Sequence, residues 1–229
     1  MMAGNSRSVS SPQEEIHDNL ERTVLRHLQH PWQKPYAQHS LQVFAELCEL
    51  VQAHSGPIVL DSCCGVGESS RELAVMHPNA LVIGLDKSAH RIDKHERAYQ
   101  DQSLGNYVVR RADLNDLWRL IAKADWPISH HYILYPNPWP KKHHLQRRWH
   151  GGAAFSALLE IPGRLELRSN WKLYLEEFAF ALKLAQYDSQ LCAYQCEHAI
   201  TPFERKYWQS GQASWQLITQ IVSSDPTKD

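Results

Sequence analysis

The sequence lacks any long hydrophobic run. Its mean hydropathy is −0.49, and no apolar stretch approaches the roughly 18 residues that a membrane-spanning helix needs. The N-terminal segment Met1–Arg7 is polar and has no hydrophobic stretch of the kind found in secretory signals. We therefore expect a cytoplasmic protein that does not insert into a membrane.

Cysteine is also scarce. The chain of 229 residues has five cysteines, an odd number, and no two of them form a Cys-x-x-Cys pair. This spacing predicts neither a disulfide framework nor a zinc site. We expect no bound metal.

The chain has no excess of positive charge. Its 24 Lys and Arg residues nearly balance 25 Asp and Glu residues, which gives a net charge of −1. Proteins that bind nucleic acid through their overall charge are strongly basic. Any binding of nucleic acid must therefore depend on a local patch.

The order of the predicted elements indicates an α/β protein. Residues 1–12 are Ser-rich and are expected to form a disordered lead-in, and residues 13–56 predict a helical extension with helices at 13–29 and 40–54. Residues 57–229 alternate short apolar runs with helical patterns, which is typical of a mostly parallel sheet with helices on both faces. The helices of this part are predicted at about 69–76, 89–101, 117–124, 153–159 and 171–185. Seven strands are predicted, the last two as an antiparallel pair with no helix between them. They are Ile58–Ser62, Leu81–Asp86, Tyr107–Ala112, His131–Pro136, Arg164–Ser169, Leu191–His198 and Trp215–Val222.

A Gly-rich turn follows the first predicted strand. Asp61 lies in that strand, and Gly65 and Gly67 open the helix after it, so a ligand can approach the backbone at a helix N-terminus. Asp86 is the last residue of the second predicted strand and Asp113 follows the third, and Asp86 stands near the offset at which an acidic side chain binds ribose hydroxyls. Acidic groups repel a pyrophosphate but tolerate a cationic sulfonium. The pattern predicts that these five residues bind S-adenosyl-L-methionine; the alternative is that the acidic side chains only cap helices.

A rigid, basic segment follows the fourth predicted strand. An Asn137-Pro138-Trp139 corner is followed, up to His150, by four Lys or Arg residues and three His residues without an acidic one. An aromatic face beside cationic side chains suits stacking on a base and contacts to phosphates. The segment therefore predicts RNA contacts at Trp139, Lys141, Arg147 and Arg148, against the alternative of a solvated basic loop.

Over roughly residues 57–222, the sequence resembles the bacterial tRNA (guanine-N7)-methyltransferase family. The resemblance implies a Rossmann-like class I methyltransferase fold, S-adenosyl-L-methionine as cofactor and tRNA as substrate. It implies a central catalytic position at Asn137. It also implies substrate contacts at Lys141, Asn170, Thr201, Phe203 and Glu204. The segments that carry it are 60–69, 83–86, 113, 135–148, 168–174 and 201–205.

The sequence departs from the family pattern at three positions. Asn137 and Asn170 stand where the family has Asp, and Cys63 replaces the first glycine of the turn. Guanine N7 carries a lone pair and no proton, so methyl transfer depends on alignment more than on a base. A carboxylate would nevertheless balance the charge of the cationic product. Two alternatives stay open: a methyltransferase acting on another nitrogen, and a non-catalytic RNA-binding paralogue. Whether the protein is a monomer or a homodimer also stays open.

Overall fold

The computed structural model describes residues 6–99 and 104–222, which form one seven-stranded sheet and eight α-helices. The strands are β1 (Ile58–Ser62), β2 (Leu81–Asp86), β3 (Tyr107–Arg111), β4 (Ile128–Leu134), β5 (Gly163–Ser169), β6 (Gln190–Tyr194) and β7 (Ser214–Ile221). The helices are α1 (Leu20–Gln29), α2 (Gln38–Ala53), α3 (Glu68–Met76), α4 (Ala89–Ala98), α5 (Leu114–Ile121), α6 (Phe155–Leu158), α7 (Lys172–Leu184) and α8 (Pro202–Gln209). Two 3₁₀ helices, Lys142–Arg147 and Trp149–Gly151, lie between β4 and α6.

The strand order in the sheet is β3-β2-β1-β4-β5-β7-β6. Strands β1 to β5 pair in parallel, and β7 runs antiparallel to both β5 and β6. The predicted mostly parallel α/β fold and the antiparallel β6–β7 pair are confirmed. From β1 the strand order continues through β2 and β3 toward one edge of the sheet, and from β4 it continues through β5 toward the other edge. At such a switch point a crevice opens beyond the carboxyl ends of the two central strands, β1 and β4.

Helices cover both faces of the sheet. Successive side chains of a strand point to opposite faces. Accordingly, Ile58 and Leu60 of β1 join a hydrophobic cluster that includes α2, α5 and α7, whereas Val59 joins a second cluster with Leu73 of α3. Helix α3 comes very close to β2 at Gly84, where a Cβ atom would lie 2.2 Å from Ser70 Oγ.

The N-terminal helices share the main core. Leu20 and Val24 of α1, together with Val43 and Leu47 of α2, lie in the same cluster as the inner residues of the sheet. Within the described part of the chain, no helix is long and apolar enough to cross a membrane.

The structure corrects several predicted elements. Strand β4 begins at Ile128 and not at His131, and β6 ends at Tyr194 and not at His198. The first helix begins at Leu20 and not at Gln13, because the Gln13 side chain and the His17 backbone N–H both donate to the buried Glu177. Helix α8 lies between β6 and β7, where no helix was predicted. Its only buried side chain is Glu204, so apolar periodicity gives no signal for it.

Part of the predicted lead-in and of the fourth helix falls outside the described residues. These parts are residues 1–5 of the lead-in and residues 100–101 of the helix predicted at 89–101. Residues 6–12 carry no helix or strand. Two of them bond to the rest of the domain: Ser6 N–H donates to Ser210 Oγ at 3.0 Å, and Ser11 Oγ donates to the Pro140 carbonyl at 2.6 Å.

Candidate active site

The turn between β1 and α3 has a left-handed backbone at three positions. Cys63, Gly65 and Gly67 have φ angles of 67°, 62° and 70°, in the region that favours glycine. The Gly65 N–H donates to Asp86 Oδ2 at 3.0 Å, which ties the turn to the end of β2. Apart from its two chain neighbours, no described residue has an atom within 4 Å of the position that a Cβ atom on Gly65 would occupy. Open space therefore lies directly over the turn.

Cys63 keeps the shape of the turn although it replaces the expected glycine. A side chain in this conformation costs on the order of 1–2 kcal/mol, which the surrounding structure must offset. Burial, with the nearby Asp86 charge, raises the pKa of the Cys63 thiol to about 12, so the thiol stays neutral and unreactive near pH 7.

Asp61 of β1 binds the helix that follows the turn. Its side chain is fully buried, and Oδ2 accepts hydrogen bonds from Ser69 Oγ at 2.6 Å and Ser70 Oγ at 2.7 Å. Oδ1 has no hydrogen-bond partner among the described residues. Burial raises the pKa of Asp61 to about 6, although the two serine hydroxyls oppose this shift. Asp61 therefore anchors the first turn of α3 to β1.

Asp86 lies at the carboxyl end of β2 with 4% of its surface exposed. Oδ1 accepts from the Ser88 N–H at 2.8 Å, and Oδ2 accepts from the Gly65 N–H and from Arg91 Nη1 at 3.3 Å. A carboxylate oxygen can accept two hydrogen bonds. Oδ1 therefore retains the capacity to bind a ligand hydroxyl.

Asp113 caps a helix and also lines a cavity. Its Oδ1 accepts from the Asn115 N–H at 3.1 Å and caps α5, so the capping alternative is correct here, while Oδ2 accepts from Lys87 Nζ at 2.8 Å. Burial acts to raise the pKa of Asp113, but the hydrogen bonds from Lys87 and Asn115 prevail and lower it. The carboxylate is thus charged at neutral pH, and it also lines a cavity at the carboxyl ends of the strands.

A cavity of about 780 Å³ lies at this edge of the sheet. It brings Asp86 and Asp113 together with Asn137, Trp139 and Phe203, and its volume is in the range of small-molecule sites. Arg147 lines it as well. Of the residues that the sequence did not single out, His27, Trp32, Lys87, Arg91, Trp149 and Tyr207 also line it.

A smaller cavity of about 330 Å³ adjoins the first and is lined by Gly65 and Thr201. Cys63, Arg91 and Phe203 border both cavities. Asp61 and Gly67 line neither. Asp61 binds Ser69 and Ser70, and Gly67 is the N-cap of α3, so both residues shape the turn without lining a cavity.

Asn137 and Trp139 form the corner after β4. Trp139 has a φ of 47°, and its N–H donates to Asn137 Oδ1 at 3.3 Å, a local bond that asparagine commonly makes in turns. The Arg147 guanidinium lies 4.8 Å from the centre of the Trp139 ring, and the His144 ring meets the indole edge-on at 5.2 Å. The corner therefore presents an exposed amide beside a ring that contacts the Arg147 cation on its face and the His144 ring at its edge.

The predicted phosphate contacts differ in exposure. Lys141 and Arg147 are exposed, as the prediction requires. Arg148, however, is fully buried: Nη1 pairs with Glu177, and Nε donates to the Trp139 carbonyl at 3.2 Å. Its charge is already neutralised inside the protein, so Arg148 supports the corner and does not reach an RNA phosphate.

The remaining predicted substrate residues do not all reach the cavities. Asn170 Nδ2 donates to Gln212 Oε1 at 2.9 Å, and Asn170 lines neither cavity. Glu204 is fully buried, pairs with Arg168 at 2.8 Å and accepts from the Ile200 N–H at 2.8 Å. Only Thr201 and Phe203 of this group face a cavity, which corrects the prediction for Glu204 and Asn170.

Sequence reasoning missed two further residues that act on the site. Arg91, in the first turn of α4, pairs with Asp86, and Glu177 of α7 binds Arg148 and His150. No spacing rule separates Arg91 from the other charged residues of α4. Glu177 could have been found from the sequence, because it lies on the face of α7 that is otherwise apolar and buried. A carboxylate at such a position needs a partner inside the protein. Among residues 6–99 and 104–222, no cluster of His, Cys, Asp or Glu is arranged to hold a metal ion.

Comparison with known proteins is consistent with this geometry. A family model described as "Putative methyltransferase" matches residues 55–217. The tRNA (guanine-N(7)-)-methyltransferase of Thiobacillus denitrificans is 28% identical over 183 residues, which cover 76% of this chain and 80% of that protein. The protein of the same name from Brevibacillus brevis is 22% identical and covers 74% of this chain and 83% of its own length. These matches confirm the predicted family resemblance.

Solved structures show the same fold at low identity. A mutant of the 16S rRNA (adenine(1408)-N(1))-methyltransferase from Catenulisporales acidiphilia, crystallised with the cosubstrate SAM, has a TM-score of 0.56 and 17% identity, covering 81% of this chain and 93% of that one. The antibiotic-resistance methyltransferase Kmr has a TM-score of 0.55 and 16% identity, covering 80% and 94%. The Rossmann-like class I fold is confirmed.

Proposed function

We propose, since the chain belongs to the family described as "Putative methyltransferase", that it transfers a methyl group from S-adenosyl-L-methionine to N7 of a guanine in tRNA. The observation that carries the proposal is the shared cavity, where Asp86 and Asp113 meet Asn137 and Trp139. Predicted cofactor residues and predicted substrate residues thus line one space. Transfer of a group between two bound molecules requires this proximity.

The residues of the turn fit the proposed cofactor. Asp86 Oδ1 has capacity for a ribose hydroxyl, and the open space over Gly65 lets a ligand lie against the backbone. The negative charges of Asp86 and Asp113 suit a ligand that carries a sulfonium and an amino group. When bound, S-adenosyl-L-methionine supplies an electrophilic methyl group.

The corner favours guanine over a target amine. Asn137 Oδ1 accepts from the Trp139 N–H, so the amide presents its Nδ2 donors, and O6 of guanine, next to N7, is an acceptor. A methyltransferase that acts on an exocyclic amine would instead need the amide oxygen to accept from that amine. The Trp139 ring offers a face on which the base can stack. Since N7 has no proton, no base is needed, and the amide orients the ring.

Methylation of tRNA by the full chain tests the proposal. Transfer-RNA is incubated with the protein and cofactor labelled in its methyl group, then digested to nucleosides for mass spectrometry. We expect label in 7-methylguanosine. The variant Asn137→Ala should lose at least roughly tenfold in rate, as expected when a hydrogen bond made in the transition state is removed. The matched control Gln209→Ala removes an exposed amide of α8 and should keep the wild-type rate.

Two other outcomes would overturn the proposal. Label in a different methylated nucleoside would establish the activity on another nitrogen. Binding of tRNA without label in any nucleoside would establish the non-catalytic alternative.

A further inference from the structure

A cationic groove runs beside the candidate active site. It has a volume of about 820 Å³ and lies between α1 and the 3₁₀ helix Lys142–Arg147. Its lining includes Arg22 and Arg26 from α1, and Lys142, His143 and Arg147 from the basic segment. None of the described residues that line it is acidic. Arg22 and Arg26 belong to none of the sequence motifs that predict the active site.

The cations of this groove are available to a ligand. Arg22, Arg26, Lys142 and Arg147 are all exposed. Within the described part of the chain, none of these four side chains forms an ion pair with a carboxylate. Arg22 donates only to the neutral Asn19 Oδ1, at 3.0 Å.

The groove is continuous with the catalytic cavity. Gln146 and Arg147 line both spaces, and the Arg147 guanidinium stands over the Trp139 ring. A polyanion in the groove would therefore be guided to the corner that holds Asn137 and Trp139. Side chains of this kind bind phosphates without reading sequence.

We infer that α1 forms one wall of a binding site for the RNA phosphate backbone, with Arg22 and Arg26 contacting phosphates next to the nucleotide that enters the cavity. The inference rests on the proposed function, because it takes tRNA as the substrate. Helix α1 thereby has a functional role in addition to its packing against α7. The contacts position the RNA; the corner residues recognise the base.

The test measures tRNA affinity as a function of salt. The double variant Arg22→Ala/Arg26→Ala should bind tRNA roughly ten- to fiftyfold more weakly near 0.1 M salt, and its log–log salt slope should fall by up to about 1.4–1.8 for two lost phosphate contacts. In methylation assays KM should rise while kcat changes little. The matched control, Arg97→Ala/Lys183→Ala, removes two exposed cations that line neither the groove nor the cavities and should behave as wild type.

The outcomes separate this inference from the proposed function. If the wild type methylates tRNA and the double variant binds it with unchanged affinity and salt slope, the groove inference fails and the proposed function stands. If the wild type neither binds nor methylates tRNA, the proposed function fails. A double variant that loses binding to poly-L-glutamate but keeps its tRNA affinity would assign the groove to an acidic polypeptide. The melting temperature of the double variant is the control for folding. If it equals that of the wild type, a loss of tRNA affinity is not caused by misfolding.

Discussion

The Arg148 guanidinium and the Glu177 carboxylate form an ion pair that is completely shielded from solvent, with Nη1 2.5 Å from Oε2. The same carboxylate also binds Gln13 Nε2, the His17 N–H and His150 Nε2. Arg148 in turn donates to the Trp139 carbonyl. One buried pair thus connects the N-terminal segment, α7 and the corner that lines the cavity.

Removing the carboxylate of this pair should strongly destabilise the fold. We expect Glu177→Gln to lower the free energy of unfolding by about 3–5 kcal/mol, because it leaves the Arg148 charge buried without a partner. Glu176 is the matched control. It pairs with Lys172 at the surface, at 2.9 Å, so Glu176→Gln should change stability by less than about 1 kcal/mol. Urea denaturation of both variants measures the difference; equal, small effects would contradict a structural role for the pair.

Glu177 also predicts acid sensitivity. Burial acts to raise its pKa, but the hydrogen bond and charge of His150 and the charge of Arg148 prevail and lower it to about 2. Because the folded-state pKa lies below the unfolded value near 4.3, the contribution of Glu177 to stability is complete above that value. It should be lost as the pH falls from about 4.3 toward 2. Unfolding measured over this range should show a steeper loss for the wild type than for Glu177→Gln.

Asp61 predicts a pH dependence of the opposite sign in a higher range. Its pKa of about 6 in the folded state exceeds the unfolded value near 3.9. The folded protein therefore holds this proton more tightly, and the stability from Asp61 should fall as the pH rises from about 4 to 6. Asp61→Asn cannot ionise, so its stability curve should lack this fall. Parallel curves for the two proteins between pH 4 and 7 would contradict the raised pKa.

Cofactor binding should depend on Asp86. S-adenosyl-L-methionine should raise the melting temperature of the wild type, because a ligand that binds the folded state stabilises it. Asp86→Ala should weaken this binding by about 1–3 kcal/mol, the cost of leaving hydroxyls unpaired in a crevice. Asp93→Ala removes an exposed carboxylate from α4 and should leave the thermal shift unchanged. The absence of any shift in the wild type at millimolar ligand would argue against the cofactor.

The two amides that replace the family's carboxylates should respond differently to Asn→Asp exchange. Asn137 faces the cavity, and its Oδ1 already accepts a hydrogen bond. Asn137→Asp loses the Nδ2 donors that we propose for guanine O6, but its carboxylate balances the positive charge that the base gains on methylation. We therefore expect it to raise guanine-N7 methylation by roughly tenfold, because an interaction with a charged group is stronger than a neutral hydrogen bond by about 0.5–2 kcal/mol.

Asn170→Asp should not give this gain. Asn170 donates to Gln212 Oε1, and Gln212 Nε2 donates to the Ser6 carbonyl. A carboxylate at position 170 would face an acceptor unless the Gln212 amide turned over and left Ser6. We expect a loss of about 1 kcal/mol in stability and no gain in rate. Steady-state kinetics and denaturation of the two single variants separate the effects; a larger rate gain at position 170 would refute this assignment.

The sequence alone predicted the sheet and the edge of it at which we propose that the cofactor binds. The bounds of β1 and β2 agree with the prediction because their apolar runs are continuous, as strands covered on both faces require. The glycines of the turn and the acidic residues at the strand ends are local signals, because the parallel topology by itself brings the carboxyl ends of neighbouring strands to one edge. The aromatic and basic corner at 137–147 was likewise evident from residues adjacent in the chain.

Only the tertiary structure decided which charged residues remain free to act. Arg147 and Arg148 are neighbours of the same type, yet Arg147 stands over Trp139 at the surface, whereas Arg148 is paired with Glu177, 29 residues away. In the same way, Glu204 is neutralised by Arg168 of β5, and Arg22 of α1 joins Lys142 in one groove. These relationships join residues from separate elements, and the cost of burying an unpaired charge determines which pairs form inside the protein. A sequence pattern records the charge of a residue, but its partner is set by how the elements pack.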